Sequence, residues 1–301
     1  MLNKFPDNSR VAFIGDSITA ENLALQWIIR AYKQFSRGIR FVNCGVAGGT
    51  AEFAVISYDK DIKRYAPTHA VVSFGINDSM RELLNEKRSP ERLEALTAAY
   101  ENYKRKLAQL VDRLVADGAE VTLCTPVPYD EYSDSDTKPL AGGYALMLGY
   151  AEYVRALAKE KGVQLYDQHR ILSKVMASDT VHSSDRIHPT QHGYYILARE
   201  FLGAQGIDAG AEDTLPQGYA LWHSYVARLR KVLASECMLI PRVGESFDSP
   251  TDVKLEKMRQ RVERKEYDAP VFESFFLSYV NDKPLEQDLY RMIDEEFEKI
   301  K

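Results

Sequence analysis

Four short stretches carry side chains able to do chemistry: Gly15-Asp16-Ser17, the glycine-rich run at 45–50, Gly75-Ile76-Asn77-Asp78, and a Ser-, Asp- and His-rich segment at 179–188. Ser17 follows the apolar run Val11-Ala12-Phe13-Ile14, which stops at Gly-Asp-Ser. A run this short with turn residues behind it reads as a buried strand. Beyond it, Leu23, Trp27, Ile28 and Tyr32 share one face at helical spacing over residues 20–35. Ser17 therefore stands where a strand hands over to a helix, beside backbone N–H groups that favour developing negative charge. That place suits a nucleophile; taken alone it more often holds a helix cap, drawn here from Asp16, Ser17 or Thr19.

A serine hydroxyl is a poor nucleophile until a neighbouring base takes its proton. Histidine titrates near neutrality, so it can accept that proton and return it to a leaving group. A carboxylate on the other ring nitrogen fixes the tautomer and stabilises the imidazolium. Asp185 and His188, separated by two residues in a turn, can bring such a pair together. Each residue alone has a plainer reading. Asn77-Asp78 is also an Asx turn, Gly48 a loop glycine, Asp185 a solvated carboxylate and His188 a group at a helix start. Their joint occurrence is what points to catalysis.

The elements that must position these residues alternate strand and helix. Strands are predicted at 11–14, 40–44, 70–74, 120–124 and 163–166, and helices over 20–35, 51–65, 90–117, 144–160 and 190–202. Pro90 fits the first turn of the third helix and Gly118 sits just past its end. This alternation implies an α/β fold with a parallel five-stranded sheet covered on both faces, a three-layer α/β/α arrangement. Ligands of such sheets bind beyond the carboxyl ends of the strands. The loops at 15–17, 45–50 and 75–78 all follow strands, so they gather on one edge, and the loop carrying His188 can reach it.

At these loops the chain resembles the SGNH (GDSL-like) hydrolase family over roughly residues 9–205. The four sequence blocks are Gly15-Asp16-Ser17-Ile18, Asn43-Cys44-Gly45-Val46-Ala47-Gly48, Gly75-Ile76-Asn77-Asp78 and Asp185-Arg186-Ile187-His188-Pro189. The resemblance implies a flavodoxin-like fold and ester hydrolysis, with Ser17 as nucleophile, His188 as base and Asp185 as its orienting carboxylate. It implies an oxyanion hole of Ser17, Gly48 and Asn77. The residue types agree: two backbone N–H groups and an uncharged amide are suited to a tetrahedral oxyanion. Other histidines are less central: His69 opens a strand, His169 begins a helix, His192 lies one turn past His188, and His182, on the same loop, is a candidate to touch substrate. Gly49 and Arg186 are near the site in sequence and receive no role.

The chain has 301 residues, 45% hydrophobic and 28% charged, with a net charge of −5. This is ordinary for a soluble globular protein and gives no reason to expect nucleic acid or an anionic membrane as partner. No apolar stretch is long enough to span a bilayer. No signal peptide is apparent, so a cytoplasmic location is expected. The cysteines Cys44, Cys124 and Cys237 are odd in number and scattered, which suggests buried free thiols and no structural zinc. No cofactor or metal is expected. The catalytic domain is expected at 1–206, and 207–301 as a helical C-terminal appendage with helices at 219–233, 251–267 and 285–300. Those helices leave open a homo-oligomer.

For the substrate, the resemblance implies esters, with a small-molecule or oligosaccharide acetyl ester favoured. Lysophospholipase, lipase-type, thioesterase and acyltransferase activities remain alternatives within the enzyme class. A catalytically silent carbohydrate-binding or assembly module is the alternative outside it.

Overall fold

A computed structural model describes residues 1–208, Asn22 and Gln34 excepted. The expected appendage helices and the aromatic segment at 271–280 lie outside the described residues, as does Cys237.

The five strands are β1 (Arg10–Gly15), β2 (Arg40–Gly45), β3 (His69–Ser73), β4 (Glu120–Cys124) and β5 (Gln164–Tyr166). They form a parallel sheet in the order β2-β1-β3-β4-β5. In the central pair Ala12 sits opposite Ala70 and Ile14 opposite Val72, and β3 continues with Val71 opposite Thr122. These strands are buried on both faces and so read as near-continuous apolar runs.

The helices are α1 (Ser17–Ala20), α2 (Leu23–Lys33), α3 (Ala51–Ile56), α4 (Tyr58–Asp61), α5 (Pro90–Ala116), α6 (Gly143–Lys161), α7 (Gln168–Val175) and α8 (Gln191–Ala204). Alternate strand residues point to opposite faces. Phe13, Val71 and Tyr166 line a cavity of about 50 Å³ together with Leu23 and Ile28 of α2 and Leu197 and Phe201 of α8. The Tyr166 hydroxyl donates to the Leu197 carbonyl there. This cavity belongs to the core on that face; Ser17, Asp185 and His188 do not line it.

The long helix α5 follows its sequence signals. Ser89 caps it, accepting from Arg92 N at 3.2 Å, with Pro90 behind the cap. Tyr103, Leu107, Leu110, Val111 and Leu114 form its buried stripe. Two expected helices are instead divided. Residues 20–35 were expected as one helix, yet α1 begins at Ser17 and closes at Glu21, whose N–H bonds back to Ser17 O and Thr19 O. Residues 51–65 break at Ser57, which sits at φ −87, ψ 2 as the end of α3 and the start of α4. A short 3-10 turn then ends at Ala66 in a left-handed conformation, just before Pro67. The helix expected to begin at His169 is α7, eight residues long and capped by Asp167.

Candidate active site

Ser17 is placed by the junction of β1 and α1. Gly15 ends the strand where a Cβ would stand 2.2 Å from Thr19 Oγ1 and 2.6 Å from Ser73 O. Only glycine lets the chain turn this close to its neighbours. The cap of α1 is Asp16, whose Oδ1 accepts from Ile18 N at 3.0 Å. Because Asp16 takes the capping role, the Ser17 hydroxyl is left to face another group. It meets Nε2 of His188 at 2.7 Å. Asp16 itself is 3% exposed. Burial pushes its carboxyl up to about 6, against the lowering pull of the Ile18 N–H, His188 and Arg81.

His188 and Asp185 share one tight turn. Ser183 N donates to His188 O at 2.8 Å, and Arg186 N to Ser183 O at 2.9 Å. Asp185 Oδ1 accepts three hydrogen bonds, from Ser183 Oγ at 2.7 Å, Ile187 N at 2.9 Å and His188 N at 2.9 Å. Its Oδ2 faces His188 Nδ1 at 2.5 Å. Burial alone would raise the Asp185 pKa, but the Ile187 N–H, the Ser183 hydroxyl and His188 outweigh it and hold the carboxyl at about 2. An ionised Asp185 can only accept, so Nδ1 carries the ring proton and Nε2 is left as the acceptor for the Ser17 hydroxyl. The plainer readings of these two residues fail on partners. Both oxygens of Asp185 have partners within its turn, and the cap of α8 is Thr190, which accepts from Gly193 N at 3.1 Å.

The second and third loops interlock. Gly48 has φ +74, a left-handed conformation that favours glycine. Asn77 Nδ2 donates to Gly49 O at 2.9 Å, leaving its second amide proton for another acceptor. Asp78 Oδ1 accepts from Ala51 N at 2.9 Å, and Val46 N donates to Gly15 O at 2.9 Å. Among the described residues, the N–H groups of Ser17 and Gly48 have no protein acceptor. Burial raises the Asp78 carboxyl to about 7, the Ala51 N–H lowers it, and nearby Asp16 raises it further. Among the described residues its Oδ2 is buried without a partner.

Other histidines stand apart. His182 is 3% exposed, its Nδ1 4.0 Å from Asp130 Oδ2, and burial lowers its pKa to about 4. It lies on the loop that carries Asp185, which with Asp130 acts on it against the effect of burial. His192 Nε2 pairs with Asp179 Oδ2 at 2.6 Å. His169 lies in α7, whose cap is Asp167. Two residues of the site escaped the sequence reading of roles. Asp78 ties the third loop to α3, a position signalled only by its adjacency to Asn77. Arg186 sits between Asp185 and His188 with a buried side chain, which no local pattern announces. Among the described residues, no group of three or more His, Cys, Asp or Glu side chains is placed to hold a metal ion. No described helix is long and apolar enough to cross a membrane. Cys124 is buried and Cys44 half-buried.

A model of the GDSL-like lipase/acylhydrolase family matches residues 13–196. An acetylxylan esterase of Geobacillus stearothermophilus is 28% identical over 177 residues, covering 57% of this chain and 74% of that protein. Among solved structures, BT4096, a gut microbial diltiazem-metabolizing enzyme, has a TM-score of 0.61 at 27% identity over 68% of this chain. The match covers 48% of BT4096, so this chain spans about half the length of that protein. Axe2, an acetylxylan esterase from Geobacillus stearothermophilus, has a TM-score of 0.57 at 22% identity, over 69% of this chain and 100% of its own, a likeness of fold. Three further Axe2 structures are catalytic mutants in which a serine, an aspartate or a histidine is replaced by alanine.

Proposed function

The chain belongs to the GDSL-like lipase/acylhydrolase (SGNH) family and is a carboxylic ester hydrolase, and from that premise we propose that it removes short acyl groups, acetyl above all, from carbohydrate or small-molecule esters through an acyl-enzyme on Ser17. The observation that carries this reading is the unbroken hydrogen-bonded line from Ser17 Oγ to His188 Nε2 at 2.7 Å and from His188 Nδ1 to Asp185 at 2.5 Å. In the proposed reaction, Ser17 Oγ attacks the ester carbonyl carbon while His188 Nε2 takes its proton. The oxygen that gains the negative charge is received by the Ser17 and Gly48 N–H groups and the second amide proton of Asn77. Collapse breaks the carbon–oxygen bond to the alcohol, and His188 returns the proton to that oxygen. Water, deprotonated by the same imidazole, then attacks the acyl-serine and releases the acid and free Ser17. Asp185 stays ionised throughout and stabilises the imidazolium at each transfer.

Support for acetyl as the acyl group comes from the relative named as an acetylxylan esterase. The test is a panel of p-nitrophenyl esters from acetyl to octanoyl, with acetylated xylo-oligosaccharides, assayed on wild type and Ser17→Ala. The reading expects turnover that falls with chain length, release of acetate from the oligosaccharides, and no activity in S17A. Preference for long chains, or activity that persists in S17A, would overturn it. A product ester formed in the presence of an added alcohol would instead favour acyl transfer.

A further inference from the structure

Arg186 lies between Asp185 and His188, yet its side chain turns away from both. It is 2% exposed and its backbone is left-handed, with φ +68. A buried guanidinium ordinarily pairs with a carboxylate. Among the described residues Arg186 pairs with none; its donors go to main-chain carbonyls of the loop at 130–137. Nε donates to Thr137 O at 2.7 Å, and Nη1 to Asp130 O at 2.9 Å and Ser133 O at 3.1 Å. Nη2 reaches Ser135 O at 3.4 Å. Four of the five guanidinium N–H groups are thus engaged by one loop. Two more bonds run between the same segments, Asp130 N to Arg186 O at 3.0 Å and Ser135 Oγ to Ser184 O at 3.2 Å.

That loop is itself fixed to the scaffold. On the stretch that leads into it from β4, Thr125 N donates to Tyr166 O at 3.1 Å at the end of β5. Glu131 closes over the start of α6, accepting from Gly142 N at 2.8 Å and Tyr144 N at 3.1 Å. The Tyr129 hydroxyl accepts from Leu140 N at 2.9 Å. The turn bearing Asp185 and His188 is consequently suspended by a side chain from a frame anchored at β5 and α6. A cation is well matched to a ring of carbonyl dipoles, and a planar fork fixes direction as well as distance.

We propose that Arg186 is a positioning residue for the Ser17–His188–Asp185 line, holding the 183–188 turn in register through its grip on residues 130–137. This rests on the reading of Ser17 and His188 as nucleophile and base. The guanidinium touches neither substrate nor the reacting atoms; it acts through the placement of Asp185 against His188. A displacement on the order of 1 Å at such a site costs about a hundredfold in rate.

The test compares wild type, Arg186→Gly and Arg186→Lys on p-nitrophenyl acetate, with kcat normalised to the fraction of Ser17 titrated by a fluorophosphonate. Glycine accepts φ +68, so R186G removes the fork without straining the backbone; R186K, the milder variant, keeps the charge and stem but supplies a single ammonium. The expected result for R186G is a kcat lower by roughly ten- to a hundredfold with KM changed by less than about twofold. The acid limb of its kcat/KM profile moves to lower pH, because a loosened Asp185 supports the imidazolium less. Asp16, the other carboxyl acting on His188, is untouched by these substitutions. Added methylguanidinium restores part of kcat in R186G and leaves wild type unchanged, while R186K stays close to R186G. Normal kcat per titrated site with an unmoved acid limb in R186G would overturn the proposal, and so would full recovery in R186K. Failure of wild type to be labelled at Ser17, or turnover that survives in S17A, would strike the underlying reading instead.

Discussion

Replacing Asp185 by asparagine is expected to do more harm than deleting its carboxyl altogether. Oδ1 of Asp185 accepts from three donors, Ser183 Oγ and the N–H groups of Ile187 and His188, while Oδ2 alone faces the imidazole. An amide at this position must keep its oxygen toward the three donors, since turning it would set its NH2 against two backbone N–H groups. Its nitrogen then points at His188 Nδ1 and donates to it. The ring is driven to carry its proton on Nε2, where it faces the Ser17 hydroxyl 2.7 Å away as a donor and cannot accept. Holding a base in the wrong tautomer costs on the order of 10⁴ in kcat. In Asp185→Ala, water can enter beside Nδ1, since the Asp185 side chain is 48% exposed, and both tautomers remain available. D185A should therefore exceed D185N by at least about tenfold, or about 1.4 kcal/mol of barrier. Steady-state turnover of p-nitrophenyl acetate, per site titrated with a fluorophosphonate, measures both. A D185N enzyme as active as D185A, or one within about tenfold of wild type, would refute the assignment of the tautomer.

Asn77→Ala should lower kcat by roughly 10²–10³ with KM for p-nitrophenyl acetate little changed, since an oxyanion donor acts mainly in the transition state; an equal rise in KM would place the amide in substrate binding instead. Asp78→Asn should raise the melting temperature at pH 8. Burial lifts the Asp78 carboxyl from 3.8 to about 7, so its ionisation progressively destabilises the fold as pH climbs from about 4 to about 7. Asparagine keeps an acceptor for Ala51 N without the charge, and the advantage of D78N should vanish by pH 4; a lower melting temperature at pH 8 would contradict this. Asp185 works in the opposite sense. Its pKa is depressed to about 2, so its stabilisation is complete above about pH 4 and is lost as pH falls toward 2. The stability gap between wild type and D185A should close over that interval in acid-unfolding curves.

The sheet was legible in the sequence because parallel strands buried on both faces leave unbroken apolar runs, as in Val11–Ile14 and Ala70–Val72. The helix α5 was legible through Ser89, Pro90 and Gly118, which mark its ends chemically. Divided helices were not, since Ser57 and Glu21 interrupt hydrogen bonding without interrupting apolar spacing. The meeting of Ser17 with His188 could be expected from four blocks in order, the first three at strand ends and the fourth on a loop able to reach the same edge. What no spacing discloses is how alternatives are disposed of: Asp16 takes the cap and frees Ser17, and Thr190 takes the next cap and frees His188. The partners of Arg186 lie about fifty residues away and are backbone carbonyls, which any sequence would supply. Asp78 is equally silent, because its role depends on burial against Ala51 and Asp16, not on its neighbours in the chain.

Peptide mapping after brief exposure to a fluorophosphonate, run in parallel with acetate release by wild type and S17A, bears most directly on the whole mechanism. The expected outcome is one adduct, on Ser17, its formation slowed in His188→Ala, with acetate release abolished in S17A. An adduct on another residue, or acetate released undiminished by S17A, would contradict it.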